Sequence, residues 1–295
     1  MKTAFVFPGQ GAQTPGMGQE YYEYSNTVRL IFEQGSELTG RDLAALCFNA
    51  GAEDLNRTEN AQPAIFAVSM ALCALLREKG INPAAAAGFS LGECTALCAS
   101  GAFSPEDGFR LVSERGRLMQ AASDSGAGAM CAILGLPAER VKALAGGLEA
   151  GPVNYNCPGQ TVIAGTPDGV GRLAALCKEA GAKRAIPLAL SGAFHTKMMA
   201  PAAEALRAFA GGLPFRPSDI PVYTNLTGGP LPADTALPGH LALQMQSPVF
   251  WQLSVENMIK DGVTRFIEVG PGNTLSRFIS KIDSQARIVP LKEVL

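Results

Sequence analysis

The sequence predicts an α/β protein with a mostly parallel sheet and a smaller ferredoxin-like unit inserted into it. Two patterns carry this. Short apolar runs that read as strands alternate with helical stretches from residue 4 to about 122 and again after 196. Between them, 129–190 reads as β-α-β-β-α-β, the order of a split βαβ motif. The composition agrees: 47% hydrophobic and only 17% charged residues, against about 25% charged in an average soluble chain, call for a large core.

In chain order, 4–7 (AFVF) is a buried strand that ends at Pro8-Gly9. Residues 61–79 read as a helix with Gly80 after its last turn, where a left-handed conformation is needed. An Ala-rich strand at 84–89 leads into a helix over 91–100, closed by Gly101. Ser104-Pro105-Glu106-Asp107 opens the next helix, to about 122, with a hydroxyl cap, a proline in the first turn and acids near the positive end of the dipole. The stretch 123–128 (SDSGAG) is a flexible junction. The inserted unit follows as strand 129–134, helix 137–145, strands 152–157 and 160–165 about a Pro158-Gly159 turn, helix 167–180 and strand 184–190. Then come a helix over 196–210, a strand near 220–225, helices on either side of Ser247-Pro248, and a last strand, 265–269, running into Gly270-Pro271-Gly272 and a short helix. The expected division is a catalytic core of 1–125 and 193–295 and a small subdomain of 126–192.

Twenty-four basic against 26 acidic residues, scattered along the chain, give no polyanion-binding signal, so no nucleic-acid partner is expected. The seven cysteines are odd in number and lack C-x-x-C pairing, which suits reduced thiols; Cys94 and Cys98 read as core packing. With two histidines, neither near a cysteine pair, no metal site is expected. The N-terminus does not read as a signal peptide, and the longest apolar run, 63–76, is short of the ~20 residues a membrane span needs. A soluble cytoplasmic protein, without membrane association, is the expectation.

Gly88-Phe89-Ser90-Leu91-Gly92 matches the G-x-S-x-G nucleophile elbow. An apolar strand enters it and a helix leaves it, so the turn would lift the Ser90 hydroxyl to a helix N-terminus, where developing negative charge is favoured. The bland alternative is a Gly-rich turn with Ser90 as an ordinary helix cap. A serine nucleophile needs a base near neutrality, and only His195 and His240 carry an imidazole. His195 lies on a loop at a strand's carboxyl end, where α/β active sites form, whereas His240 reads as a solvated loop or helix-start residue. Arg115 falls on an otherwise apolar helical stripe of Gly108, Leu111, Leu118 and Ala122. A buried guanidinium must face a carboxylate, either an internal one or that of a substrate; periodicity leaves both open. Phe7-Pro8-Gly9-Gln10-Gly11 follows the first strand, and its glycines suit a close approach of main-chain N–H groups to an oxyanion.

Together these residues resemble the malonyl-CoA:acyl carrier protein transacylase family over essentially the whole chain. The likeness rests on Phe7-Pro8-Gly9-Gln10-Gly11, Gln62-Pro63, Gly88-Phe89-Ser90-Leu91-Gly92-Glu93, Arg115-Gly116, the run from Asn154 to Gln160, Gly192-Ala193-Phe194-His195 and Val269-Gly270-Pro271-Gly272, in the family's order. It implies an α/β-hydrolase-like core with a ferredoxin-like insertion. It implies further that Ser90 is acylated, that His195 is its base, and that the Gln10 and Leu91 N–H groups form the oxyanion hole. Arg115 would bind the malonyl carboxylate, and the main-chain carbonyl of Gln244 would orient His195 in place of an acid. Gln62, Met119, Asn156 and Phe194 would line the substrate pocket, Phe194 crowding the space an α-methyl group needs. Many members carry His before the serine; Phe89 stands here and removes a polar neighbour of the elbow.

The implied reaction takes malonyl from malonyl-CoA to the phosphopantetheine thiol of acyl carrier protein for fatty-acid synthesis. No resident cofactor is needed, and a monomer suffices. Three rivals remain from the sequence: a trans-acting acyltransferase of a polyketide pathway, a serine esterase or thioesterase of the hydrolase class, and a non-catalytic carrier-binding scaffold. The esterase would want an acid between Ser90 and His195, and none there is well placed.

Overall fold

Strand β1 (Lys2–Phe7) is buried from Ala4 onward, and its alternate side chains enter different clusters. Phe5 and Phe7 join the large cluster, while Ala4 and Val6 join one built around Trp251, Val255 and Met258. A strand covered on both faces belongs at the centre of a parallel sheet. The computed structural model in which these contacts are seen describes residues 2–126, 128–188 and 192–295.

The sequence pattern assigns no element to 14–56, yet α1 (Gln19–Tyr24), α2 (Asn26–Thr39), α3 (Leu43–Phe48) and α4 (Ala52–Asn56) lie there. Most are too short to show an apolar stripe, and caps start two of them. Ser25 Oγ accepts the Val28 N–H, and the Asp42 carboxylate accepts the Ala45 N–H. Helix α5 (Thr58–Glu78) begins three residues before the expected start and takes in Pro63. By length and composition it could cross a membrane, but 83% of its apolar window is buried in protein, so it serves as a core helix. Then follow β2 (Ala85–Gly88), α6 (Leu91–Ala99) and α7 (Pro105–Asp124), the last capped by Ser104 as its sequence predicts.

Next come β3 (Ala129–Leu134), α8 (Ala138–Leu144), β4 (Ala150–Cys157), β5 (Gln160–Gly165), α9 (Pro167–Glu179) and β6 (Arg184–Pro187). These strands form a separate antiparallel sheet of order β4-β5-β3-β6, the ferredoxin-like order expected of the split βαβ reading. Positions 189–190 of the expected strand, Ala127 of the junction and Ser191 of the loop before His195 lie outside the described residues.

The chain returns through α10 (Ala200–Ala210), β7 (Val222–Tyr223), α11 (Leu237–Met245), α12 (Trp251–Lys260), β8 (Val263–Glu268), α13 (Thr274–Ile282) and β9 (Arg287–Ile288). The main sheet is parallel throughout, in the order β7-β2-β1-β8-β9. The two sheets meet where β4 runs beside Val249. The Val249 N–H donates to Val153 O at 2.7 Å, the Tyr155 N–H donates to Val249 O at 2.9 Å, and the Tyr155 and Phe250 rings stack at 4.9 Å. That junction holds the antiparallel sheet beside the carboxyl ends of β1 and β2, where open parallel sheets place their ligands.

Candidate active site

The turn between β2 and α6 is a tight elbow. A Cβ on Gly88 would lie 1.8 Å from Gly92 C, and one on Gly92 would lie 2.0 Å from Phe7 O, so neither position admits a side chain. Ser90 between them has φ 53° and ψ −105°. Only Ser90 and His195 among the described non-glycine residues have positive φ. Strain of this kind costs roughly 1–3 kcal/mol per residue and persists where the surroundings fix it. The Ser90 side chain does not cap α6, which sets aside the reading of an ordinary helix cap. Its Oγ lies 2.8 Å from His195 Nε2 and 3.1 Å from Arg115 Nη2.

His195 is 4% exposed. Its Nδ1 sits 3.0 Å from the Gln244 main-chain oxygen and 3.1 Å from that of Ser247. Two carbonyls require an N–H at Nδ1, which leaves Nε2 with a lone pair facing Ser90. Burial, and then the Arg115 cation, pull the imidazole down to about 4, against which the two carbonyls push weakly upward. At neutral pH His195 is therefore uncharged.

Arg115 is 1% exposed and, among the described residues, no carboxylate reaches ion-pair distance of it. Its Nη1 donates to Gln62 Oε1 at 2.8 Å, and its Nη2 also donates to Gln244 Oε1 at 3.2 Å. Burial draws the guanidinium below its ordinary value. Of the two readings left open by periodicity, the internal ion pair is therefore not what the fold provides. A buried cation is held by neutral amides beside the serine, which is an arrangement that accepts an anion.

The loop after β1 packs against the elbow, and a Cβ on Gly9 would meet Phe89 O at 2.3 Å. From the other side the Gly270-Pro271-Gly272 segment supports it: a Cβ on Gly270 would lie 2.5 Å from Pro8 Cγ. The Gln10 side chain donates to Thr58 Oγ1 at 3.0 Å. Leu91 is the first residue of α6, and its N–H belongs to the free donors of the helix start.

A cleft of about 330 Å³ opens between the sheets, lined by Gln10, Phe89, Asn154, Asn156, Gln160 and Phe278, among others. Asn154 and Asn156 are almost fully buried, and their Oδ1 atoms have no partner among the described residues. Of the expected pocket residues, Asn156 faces this cleft. Gln62 holds Arg115 and places its Nε2 3.2 Å from Met119 Sδ. Phe194 is in the large core cluster and does not line the cleft. Phe89 joins an aromatic group, edge-on to Trp251 at 6.0 Å and tilted to Phe278 at 6.5 Å.

One expectation is corrected. His240 is not a solvated residue: it lies within α11, its side chain is 7% exposed, and its Nε2 is 2.6 Å from Glu93 Oε1. A buried carboxylate on α6, invisible to a reading of α11 alone, draws it inward. Sequence reasoning also passed over Asn225 and the Ser247 carbonyl. Asn225 lies two residues beyond β7, at the carboxyl end of a strand, and that position was the available signal. A main-chain oxygen such as that of Ser247 carries none.

The acyl transferase domain family matches residues 4–293. The chain is 41% identical over 297 residues to the malonyl CoA-acyl carrier protein transacylase of Bacillus subtilis, covering 99% of this chain and 94% of that one. Among solved structures it is similar to an acyl carrier protein S-malonyltransferase from Vibrio cholerae, with a TM-score of 0.93, 41% identity, and 98% and 96% of the two chains covered. A malonyl-transacylase solved in complex with a type II PKS acyl-carrier protein gives a TM-score of 0.94 at 38% identity over 98% of this chain and 96% of that one. On the fold, the elbow and these whole-length likenesses, the chain belongs to the malonyl CoA-acyl carrier protein transacylase family of acyltransferases.

Proposed function

We propose that this protein moves malonyl from malonyl-CoA to the phosphopantetheine thiol of acyl carrier protein for fatty-acid synthesis, by a two-step exchange through an ester on Ser90. The observation that carries the reading is the buried, un-neutralised Arg115 set 3.1 Å from Ser90 Oγ, with neutral His195 2.8 Å from the same atom. His195 Nε2 takes the hydroxyl proton as Oγ attacks the thioester carbonyl. The N–H groups of Gln10 and Leu91 hold the tetrahedral oxyanion, and the C–S bond breaks as His195 returns the proton to the coenzyme A thiolate. The carrier thiol then attacks the ester, gives its proton to His195, and Ser90 leaves protonated. The Gln244 and Ser247 carbonyls stand where a triad acid would, orienting the ring without adding a charge. The cleft of Asn154 and Asn156 takes the pantetheine arm of either thiol. We assign residues 1–125 and 193–295 to the catalytic core and 126–192 to the subdomain that forms the cleft's far wall, in a cytoplasmic monomer.

Arg115 has a second part in this scheme. As a bare cation it holds His195 down; malonyl's carboxylate cancels that field, so the base strengthens when the right acyl group is bound. The acid limb of the pH profile for Ser90 acylation (kcat/KM, free enzyme) is accordingly expected near 4. A stopped-flow profile with its limb at 6.5 would mean that His195 keeps an ordinary histidine value in the free enzyme and that Arg115 does not hold it down.

The direct test is intact mass after mixing with malonyl-CoA alone. One malonyl adduct, discharged by holo acyl carrier protein, is expected; free malonate without carrier-bound product would mark a hydrolase. The likeness to a transacylase solved with a type II PKS carrier favours, as second reading, supply of a polyketide carrier in trans. Discharge rates with fatty-acid and polyketide carriers side by side separate the two.

A further inference from the structure

Behind the elbow lies a buried polar chain that the reaction scheme does not use. Asn225 is fully buried, and its Oδ1 accepts the Ser90 N–H at 2.7 Å and Gln244 Nε2–H at 3.2 Å. Its Nδ2 donates to Gly88 O at 2.7 Å. Its own main-chain N–H donates at 2.6 Å to Glu93 Oε2, and the other oxygen of that buried carboxylate meets His240 Nε2 at 2.6 Å. Gln244 closes the circuit by donating from Nε2 to Ser90 O at 2.8 Å.

The connections matter because of what each end carries. Ser90 sits in a backbone conformation that non-glycine residues avoid, and α6 begins immediately after it. Gln244 supplies one of the two carbonyls on His195 Nδ1 and the amide oxygen on Arg115. A single amide thus ties the main chain of the nucleophile to the helix that orients the base. Glu93 on α6, itself held by His240 of α11, anchors the main chain that carries that amide, so the brace spans the elements whose relative placement sets the distance from Ser90 Oγ to His195 Nε2. Its main side-chain groups are paired, as a buried network requires if it is to hold one geometry.

We propose that Asn225, braced by the Glu93–His240 pair, is a positioning residue for acyl transfer, holding the strained elbow and the His195-orienting helix in register. The proposal rests on Ser90 and His195 acting as described above. It touches neither substrate nor the reacting atoms, and acts only through the alignment of Ser90 with His195.

The test is single-turnover acylation of Ser90 in Asn225→Ala, Asn225→Asp and His240→Gln, each first checked by circular dichroism and thermal melting. Leaving the buried Ser90 and Gln244 donors unpaired is expected to slow acylation by Asn225→Ala about 10–100-fold. The KM for malonyl-CoA should stay within about threefold, because Arg115 and the cleft are untouched. Asn225→Asp keeps the volume and the acceptor and should recover part of the loss. His240→Gln, which disturbs only the far end, should slow the step several-fold and serves if the alanine variant does not fold. In a His195→Ala background the Asn225→Ala substitution should cost little more, since its effect passes through that alignment. A folded Asn225→Ala protein at parental rate, or a loss that multiplies unchanged in the His195→Ala background, overturns the proposal. A fluorophosphonate that labels serine nucleophiles, run in parallel, separates this from failure of the functional reading. Parent protein that labels but takes no malonyl loses the proposed substrate, while slower labelling of Asn225→Ala still supports the brace. Parent protein that neither labels nor acylates overturns both.

Discussion

Ser90→Ala should form no malonyl adduct and should lower carrier malonylation by about 10⁴-fold or more, as removal of a covalent nucleophile does in acyl-transfer enzymes. The elbow leaves no understudy. Among the seven cysteines, all free and buried, Cys94 is the near neighbour on α6, and burial pushes its thiol up to about 11. The fold should survive the change. The Ser90 side chain caps no helix, and the main-chain bonds to Asn225 and Gln244 do not involve Oγ. A melting temperature at or slightly below that of the parent is therefore expected, since Arg115 and His195 each lose one hydrogen-bond partner but keep those to Gln62, Gln244 and Ser247. An adduct that persists in Ser90→Ala would assign the acyl group elsewhere, and peptide mapping would locate it.

Arg115→Ala should have the next largest effect, and a selective one. Truncating one partner of a buried, hydrogen-bonded charge pair costs roughly 2–5 kcal/mol, or about 30- to several-thousand-fold in malonyl transfer. Acetyl transfer, which has no carboxylate to pair, should fall far less. Removing the cation also removes a cause of the low His195 value, so the acid limb of the acylation profile should rise from about 4 toward the ordinary histidine range. The sign follows from charge: the imidazolium is easier to form once its positive neighbour is gone. Equal losses on malonyl and acetyl donors, with an unmoved limb, would reduce Arg115 to a packing residue. Arg115→Lys should not rescue fully, because three donors are shared among Gln62, Gln244 and Ser90 across the guanidinium plane.

The sheet and the elbow were legible because their signals are local. The apolar run at 4–7, the Gly88 and Gly92 spacing and the Ser104-Pro105 start each obey a rule that acts over a few residues, and each element appears within a residue or two of its expected place. The β-α-β-β-α-β order determined the second sheet because hairpins and crossovers of that length have few ways to pair. Where no local rule applied, the pattern was silent. Helices α1, α3 and α4 are too short for periodicity, the 14-residue α2 was passed over despite its length, and β9 has only two residues, a strand only by virtue of the neighbour it joins.

The sequence by itself determined which residue types could do the chemistry: one serine in an elbow, two histidines to choose from and one arginine on an apolar stripe. Tertiary structure alone decided their charges and partners. His195 is neutral because the chain, 80 positions on from Arg115, returns it beside that cation with carbonyls, not an acid, on Nδ1. Arg115 keeps a charge that no carboxylate pairs among the described residues, because Gln62 and Gln244, from separate helices, meet it where a carboxylate could have been. His240 was misplaced for the same reason, its Glu93 partner lying 147 residues away. Hydrogen bonds and fields act through space over a few ångströms, and chain order does not record which distant groups folding brings within that reach.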